Sequence, residues 1–181
     1  MYLKVIKSVN EALRIDNPLR IEKLNPNHSL NNVDFGREEL SRFLIRKALV
    51  SQQAGVSRTY LAVSGESVVG YYTLNLGEVF LDEAPAQLKK GFASHPVPIM
   101  VLARLAVAVG WQGCGLGAGL LKDAMRRTLQ AADIAGIRAF TVHSANESVR
   151  SFYENFGFVP SPTDPLHMFL SISDIRSISG E

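Results

Sequence analysis

The chain has 181 residues, 46% of them apolar and 20% charged, and a formal net charge of +2 that by itself indicates no nucleic-acid partner. This length fits a single α/β domain over residues 1–181, and the one cysteine, Cys114, excludes an internal disulfide framework or a cysteine metal cluster. No apolar run reaches the roughly 18 residues of a membrane span and the N-terminus lacks a secretory signal, so we expect a cytoplasmic protein.

The first half of the chain predicts strands around one amphipathic helix. Residues 1–17 are an N-terminal extension, and "PLRIEKL" (18–24) is the first predicted strand. A helix is expected from about Arg37 to Ala54, with Asn32 or Asp34 as its cap. Its apolar face consists of Leu40, Phe43, Leu44 and Ala48. "RTYLAV" and "VVGYYTLNL" follow as the strands of a hairpin, and "SGES" is the turn between them.

The second half of the chain predicts a strand–helix–strand–helix–strand order. The nearly all-apolar residues 97–107 are typical of a central strand that is buried on both faces. A glycine-rich turn leads into a helix that ends before Gly136, and "RAFTVHS" is the next strand. "SANE" (144–147) predicts a capping box for the helix "ESVRSFYENF", and "LHMFLSIS" is the final strand. We therefore expect a single-domain α/β fold with a mixed central sheet flanked by helices.

The glycine-rich segment "WQGCGLGAGLL" (111–121) is typical of a phosphate-binding turn at a helix start. A P-loop is excluded because Leu120 and Leu121 stand where Lys and Ser or Thr would be needed. A dinucleotide fingerprint fits Gly113 to Ala118, but no carboxylate follows the next strand before Glu147. A Gln-x-x-Gly-type turn would direct the amides of residues 113–118 at a diphosphate, and a turn kept only for tight packing is the alternative.

Three segments in this order resemble the GNAT superfamily of acyl-CoA N-acyltransferases, from about Ser57 to Ile172: "VLARLAV", "WQGCGLGAGLL" and "VHSANESVRSFYENFGF". The resemblance implies a GNAT-like fold in which strands 97–107 and 138–143 splay apart, with the pantetheine of acetyl-CoA in the gap. It implies cofactor contacts from backbone groups of Leu105, Ala106 and Val107, and from the turn residues Gln112, Gly113, Cys114, Gly115, Leu116, Gly117 and Ala118. Asn146 could bond the pantetheine amide, or it could serve only as a helix cap.

A narrower resemblance, from about Leu19 to Asp174, is to the GNAT toxins of bacterial toxin–antitoxin modules. The helix "REELSRFLIRKAL" and the segments "ALVSQQAGVSRTYLAV" and "FYENFGFVPSPTDPLHMFL" carry it. It implies acetylation of the free α-amino group of an aminoacyl-tRNA, which blocks translation, and also a ribbon-helix-helix antitoxin and a homodimer. A GNAT that acetylates a small amine or a protein N-terminus, and an acyl-CoA-binding module without turnover, are the alternatives.

Attack of an amine on a thioester expels a thiolate that needs a proton. Tyr153 is the predicted donor, because the pKa of tyrosine is about 10 and that of the thiol is about 8.5; the alternative is a core aromatic residue. No carboxylate stands out as a general base, although an α-amine with a pKa near 7.7–8.0 is partly neutral without one. The 4 histidines show no metal-binding spacing, so no metal is expected.

One buried-strand arginine and one group of basic residues are predicted to contact the acceptor. Arg104 is a charge inside an apolar strand and is expected on the substrate side, with a structural ion pair as the alternative. Arg42 and Arg46 belong to a basic group that is expected to hold tRNA phosphates, with a solvated helix face as the alternative. The whole group is Arg37, Arg42, Arg46, Lys47 and Arg58.

Overall fold

A computed structural model describes residues 18–31, 33–90 and 95–180, and they form a mixed sheet flanked by helices, as predicted. The extension over residues 1–17 and the Asn32 cap lie outside these residues. The strands of the described part are β1 (Leu19–Lys23), β2 (Arg58–Ser64), β3 (Ser67–Val79), β4 (Val97–Val107), β5 (Ala139–His143), β6 (Val159–Pro160) and β7 (His167–Ser171). They form a 7-stranded sheet in the order β1-β2-β3-β4-β5-β7-β6, in which β4 and β5 are parallel.

The helices of the described residues are α1 (Glu38–Phe43), α2 (Leu49–Gln53), α3 (Leu116–Ala135), α4 (Glu147–Glu154) and α5 (Ile172–Ser179). A π-helical segment, Leu44–Ala48, joins α1 to α2, and short 3-10 helices lie at Ala86–Leu88 and Val109–Trp111. The predicted helix over residues 37–54 is therefore present, with a π-helical middle that its periodicity did not indicate. No helix in this part of the chain has the length and apolarity required to cross a lipid bilayer.

Two of the predicted caps, Asp34 and Ser144, were wrong. Arg37 is the residue before α1 and makes no side-chain cap bond, while Asp34 instead accepts the amide of Gly36 at 2.8 Å. Before α4, the side chain of Asn146 accepts the Val149 amide at 3.0 Å and so replaces Ser144 as the cap. Local hydrogen bonds to a turn compete with helix capping, which explains the first error.

Two further expectations need correction. β4 is not buried on both faces, because several residues of its second half, including Arg104 and Leu105, are only half-buried. The final strand ends at Ser171, whose hydroxyl accepts the amide of Asp174 at 3.0 Å and thereby caps α5. The chain therefore turns into a C-terminal helix where a longer strand was expected.

Two compact units make up the chain. The first comprises the described residues up to Asn75 together with Arg104–Ala124. Its core contains Leu24, Phe35, Phe43, Leu44, Ala48, Leu61, Val63, Val68, Tyr71 and Ala106. The second comprises Leu76–Ala103 and the described residues from Met125 onward. Its core contains Val79, Ala84, Leu88, Val97, Ile99, Ala139 and Phe169.

Candidate active site

The glycine-rich turn lies in the first unit, between the end of β4 and the start of α3. Gly113 and Gly115 adopt left-handed backbone conformations, with φ of 75° and 89°. Residues other than glycine adopt this conformation only with backbone strain. The side-chain amide of Gln112 donates to the carbonyl of Val107 at 3.1 Å, and the Cys114 thiol donates to the carbonyl of Trp111 at 2.8 Å. The Gln112 bond ties the turn to the end of β4, and the Cys114 bond lies within the turn itself.

A run of backbone amides in this turn has no acceptor. Among the described residues, none accepts a hydrogen bond from the amides of Gly113 through Ala118, and the first paired amide is that of Gly119, to the carbonyl of Gly115 at 3.1 Å. The first amides of any helix lack intrahelical partners, and the helix dipole gives this end a partial positive charge. The turn can therefore bind an anion of the size of a diphosphate.

The packing alternative for these glycines finds little support. A Cβ on Gly117, which has no left-handed backbone, would meet Cγ2 of Val107 at 3.7 Å, an ordinary contact. At Gly113, no heavy atom of the described residues would lie within 4 Å of a Cβ. By contrast, a Cβ on Gly70 of β3 would be 2.9 Å from Cδ1 of Leu120, so close strand–helix packing requires glycine there. The space in front of the turn is open, as a bound ligand requires.

The backbone groups predicted to pair with pantetheine lie in the last part of β4. The pairing of β4 with β5 runs from Ile99 and Ala139 to Leu102 and Val142, and β4 then continues to Val107. Leu105, Ala106 and Val107 belong to this continuing part. The Val107 carbonyl already accepts from Gln112 and retains one lone pair for a further donor.

Tyr153 lies on α4 in the second unit, with a buried ring and a free hydroxyl. Its ring packs edge-on against Phe152 and Phe158, at centroid distances of 5.2 and 5.4 Å. Burial raises the pKa of Tyr153 above its ordinary value, so the group is protonated at neutral pH. The hydroxyl has no hydrogen-bond partner among the described residues. It is also not completely buried, so solvent or a ligand can reach it. A core aromatic would not need this arrangement.

The other buried tyrosines use their hydroxyls within the protein. Tyr71 donates to the carbonyl of Leu40 at 2.9 Å, and Tyr72 donates to the carboxylate of Asp123 at 2.5 Å. Both rings are fully buried. Tyr71 and Tyr72 are therefore core residues, and Tyr153 differs from them in having a hydroxyl left for a ligand.

Two polar residues follow β5. Asn146 uses its side-chain oxygen as the cap of α4, which establishes that role and leaves only its amide NH2 for pantetheine. Ser144 was missed as a ligand candidate by sequence reasoning: its side-chain oxygen is buried without a partner among the described residues. A buried hydroxyl without a hydrogen bond lowers the free energy of unfolding by about 1–3 kcal/mol unless a ligand or a water molecule bonds to it. The sequence signal for this candidate was the position of Ser144 directly after β5.

Arg104 stacks on an aromatic ring in the first unit. Its guanidinium carbon lies 3.6 Å from the ring centroid of Phe43, and it forms no ion pair or hydrogen bond among the described residues. The positive charge also lowers the pKa of Tyr71, although burial of that hydroxyl raises it more. The structural ion pair considered for Arg104 is thus replaced by a cation–π contact that leaves its donors available. Phe43 was predicted only as a core residue.

The basic group of the first unit is partly neutralised by its own helix. Arg42 pairs with Glu38 at 2.7 Å, Arg37 pairs with Glu39, and Arg58 donates to the carbonyl of Ser57 at 2.9 Å. Arg46 and Lys47 are exposed on the π-helical segment and have no ion pair among the described residues. Of the predicted phosphate contacts, Arg46 therefore carries the more available charge, and Arg42 the less available.

Known proteins with similar sequences and structures were identified. A family model, the Acetyltransferase (GNAT) domain, matches residues 55–160. A tRNA-acetylating toxin of Mycobacterium tuberculosis is 41% identical over 146 residues, which are 81% of this chain and 87% of that protein. The structure of AtaT complexed with acetyl-methionyl-tRNAfMet has a TM-score of 0.82 and 28% identity, covering 89% of this chain and 99% of that one. A mutant AtaT toxin bound to the C-terminus of the antitoxin AtaR and acetyl-CoA has a TM-score of 0.76 and 27% identity, covering 90% and 99%.

Proposed function

This chain belongs to the GNAT acetyltransferase family, and we propose that it is a toxin that uses acetyl-CoA to acetylate the α-amino group of an aminoacyl-tRNA. The observation that carries the proposal is the run of amides from Gly113 to Ala118 that have no acceptor among the described residues, in a chain 41% identical to a tRNA-acetylating toxin. Such acetylation would stop translation, because a blocked α-amine cannot form a peptide bond.

The turn and the strand before it are suited to acetyl-CoA. The amides of residues 113–118 would hold the diphosphate, with glycines 113, 115 and 117 allowing its close approach. Backbone groups of Leu105, Ala106 and Val107 would pair with pantetheine as a neighbouring strand would. Asn146, through its side-chain NH2, and Ser144, through its orphaned hydroxyl, are further partners for the pantetheine amides.

Tyr153 would serve the departing sulfur. Its hydroxyl is protonated at neutral pH because burial raises its pKa, and it has no other partner among the described residues. A thiolate, whose conjugate acid has a pKa of about 8.5, is stabilised as it forms by a hydrogen bond or proton from such a hydroxyl.

The acceptor would be held through its phosphates and near its reacting end. Arg46 and Lys47 are exposed, positively charged and without ion pairs in the described residues, which suits a tRNA backbone. Arg42 is a weaker contact because Glu38 already neutralises it. The guanidinium of Arg104, fixed by Phe43 but with free donors, is suited to a phosphate or carbonyl close to the aminoacyl ester.

Three further properties rest on likeness to the toxins. We extend to this chain an antitoxin partner, of the ribbon-helix-helix class, since AtaT has been solved with the antitoxin AtaR. A homodimer is proposed on the same family likeness. Because charged tRNA is the proposed substrate, we also propose that the protein acts in the cytoplasm.

A translation extract tests the proposal. The protein and acetyl-CoA would be added, protein synthesis followed, and the aminoacyl-tRNA pool analysed by mass spectrometry. We expect translation to stop and N-acetylaminoacyl-tRNA to accumulate. Continued translation, with acetylation only of an added small amine or peptide, would instead support a metabolic or protein-directed GNAT.

A further inference from the structure

A histidine–carboxylate pair at the end of β5 has no role in the function proposed above. Nε2 of His143 lies 2.8 Å from Oδ2 of Asp164, which is in the loop between β6 and β7. The other carboxylate oxygen of Asp164 accepts the amide of Leu166 at 2.9 Å, and the Asp164 carbonyl accepts the amide of His167 at 3.1 Å. The loop therefore holds the carboxylate in one orientation, and the carboxylate holds the imidazole.

The proton on the His143 ring is located by this pairing. The hydrogen bonds from Leu166 and from His143 lower the pKa of Asp164, so its carboxylate is ionised at neutral pH and can only accept. His143 Nε2 must then carry a hydrogen, and in the neutral form of the ring Nδ1 has a lone pair. The side chain of His143 is 63% exposed, so Nδ1 can meet a substrate and later release a proton to water.

The position of His143 on the strand sets it apart from Tyr153. Side chains alternate along β5. Phe140 packs on Phe158, which packs on Tyr153, at centroid distances of 5.8 and 5.4 Å. Thr141 and His143 lie on the opposite face, where both contact His167, by a 2.8 Å hydrogen bond and a 5.9 Å ring contact. β5 is parallel to β4, and ligands of α/β sheets bind at the carboxyl ends of parallel strands, which is where His143 lies.

We propose that His143 is the general base that deprotonates the acceptor ammonium group, with Asp164 as the residue that positions its ring. The inference rests on the proposed acetylation of an aminoacyl-tRNA. It supplies the base that the sequence did not reveal, on the face of β5 opposite to the tyrosine that serves the sulfur. Separate faces keep the acid and the base from exchanging a proton with each other.

The proposed steps balance. His143 Nδ1 takes a proton from the ammonium, and the freed nitrogen lone pair forms a C–N bond to the thioester carbonyl carbon while the C=O π pair moves to oxygen. Collapse of this adduct breaks the C–S bond, and the sulfur takes the Tyr153 proton. The attacking nitrogen loses its second proton through water to the Tyr153 phenolate, and His143 returns its proton to solvent. The sum is ammonium plus acetyl-CoA giving amide, CoA thiol and one proton.

In the described part of the chain, two titratable side chains lie beside His143. Asp164 contacts it directly, and His167 lies on the same face. The pKa of His167 is lowered, first by burial and then by His143, while Asp164 and Glu83 act in the opposite direction. His167 is therefore neutral near pH 7 and does not compete with His143 for the Asp164 carboxylate.

Single-turnover kinetics as a function of pH would test the inference. Total bacterial aminoacyl-tRNA would be acetylated by the wild type, His143→Ala and Asp164→Asn between about pH 6 and about pH 8, a range that brackets the α-amine pKa. We expect His143→Ala to be slower by at least about tenfold at pH 6, with the deficit shrinking toward pH 8 because the amine is then neutral without help. Added imidazole should restore part of the rate. Asp164→Asn should be intermediate, since the ring of His143 would remain while the carboxylate that orients it would be lost.

A matched control is offered by another histidine–carboxylate pair. His28 Nε2 lies 2.9 Å from Oε1 of Glu22 in the first unit, and His28→Gln should leave the rate unchanged at every pH. Calorimetry should give the same acetyl-CoA affinity for all variants. If His143→Ala slowed acetylation equally at pH 6 and pH 8, or did not slow it at all, the His143–Asp164 pair would only hold the loop in place. Either result would overturn the inference. Absence of acetylated aminoacyl-tRNA with the wild type would overturn the proposed function first.

Discussion

The guanidinium carbon of Arg104 on β4 lies over the ring of Phe43, 3.6 Å from its centroid, at the point where α1 passes into the π-helical segment. Phe43 is itself buried in the core of the first unit. A core side chain therefore orients a charged one, and the contact links the packing of the helix to a residue proposed to face the substrate. A cation–π contact of this kind contributes about 0.5–2 kcal/mol.

Breaking this contact should weaken acceptor binding. Arg104→Lys keeps the charge but loses the planar group, and Phe43→Leu keeps an apolar side chain but loses the ring face. We expect each to raise the KM for aminoacyl-tRNA about tenfold, equivalent to the loss of about 1.4 kcal/mol, while calorimetry shows unchanged acetyl-CoA affinity. Phe35→Leu is the control, because Phe35 packs edge-on against Tyr71 at 5.0 Å in the same core. A KM change as large in that control would mean that core disruption alone is responsible.

A methyl group at Gly117 should separate stability from cofactor binding. The Cβ of Gly117→Ala fits the protein, since its nearest neighbour would be Val107 Cγ2 at 3.7 Å, and alanine favours a helix over glycine by up to about 1 kcal/mol. We expect the free energy of unfolding to stay equal or rise, while acetyl-CoA affinity falls at least about tenfold by calorimetry because the methyl group occupies the diphosphate approach. Gly115→Val should abolish binding more completely, although its φ of 89° adds strain. Unchanged acetyl-CoA affinity in both variants would mean that the turn does not bind the diphosphate.

Loss of the Tyr153 hydroxyl should slow acetylation by about two orders of magnitude. Tyr153→Phe keeps the buried ring and its contacts with Phe152 and Phe158, so the fold and acetyl-CoA affinity should be normal. Expression of the wild type should arrest bacterial growth, and Tyr153→Phe should relieve the arrest. Tyr72→Phe is the converse control: it removes a 2.5 Å hydrogen bond to buried Asp123, so it should lower stability by about 1–3 kcal/mol and leave kcat unchanged. A loss of kcat smaller than threefold in Tyr153→Phe would mean that Tyr153 is a core aromatic residue without a catalytic role.

The electrostatic contribution to tRNA binding should depend on Arg46 more than on Arg42. Glu38 pairs with Arg42 at 2.7 Å, whereas Arg46 has no ion pair among the described residues. Arg46→Glu should weaken tRNA binding more than Arg42→Glu does, and removal of a side chain that binds a phosphate should lower the salt slope by roughly 0.7–0.9. Filter binding over a salt series would measure both effects. Arg20→Glu, which changes an exposed arginine on β1, is the control, and an equal effect there would indicate only a change in overall charge.

Sequence patterns predicted the elements whose determinants are local. The apolar run at 97–107 coincides with β4, and Gly136, with φ of 66°, follows α3 where a helix-ending glycine was expected. The two wrong caps, Asp34 and Ser144, have a different cause, because only the backbone path decides which amide a polar side chain reaches: Asp34 bonds Gly36, and Asn146 caps the helix in place of Ser144. Periodicity alone does not separate these outcomes.

Contacts between distant residues were beyond reach of the same patterns. Arg104 and Phe43 are brought together by packing of a helix on a strand, and the sequence of neither segment predicts a contact with the other. His143 and Asp164 belong to a strand and to an irregular loop, where no period predicts a side-chain direction. The proposed general base therefore could not be predicted from the sequence, whereas the proposed role of Tyr153 could, since this residue lies in a segment that resembles the family.

The π-helical segment Leu44–Ala48 also has a consequence for how this chain tolerates change in length. A π-turn holds more residues than an α-turn, so removal of one residue from the segment can close it into a continuous α-helix that leaves the residues beyond it in nearly the same orientation. Gln52 would then keep the carbonyl of Leu24 and the amide of Thr59, which its side chain joins at 2.5 and 3.1 Å. A single-codon deletion here would thus spare the anchorage of β1 and β2, whereas a deletion between this segment and Gln52, in an ordinary α-helical turn, would rotate Gln52 by about 100° and break it.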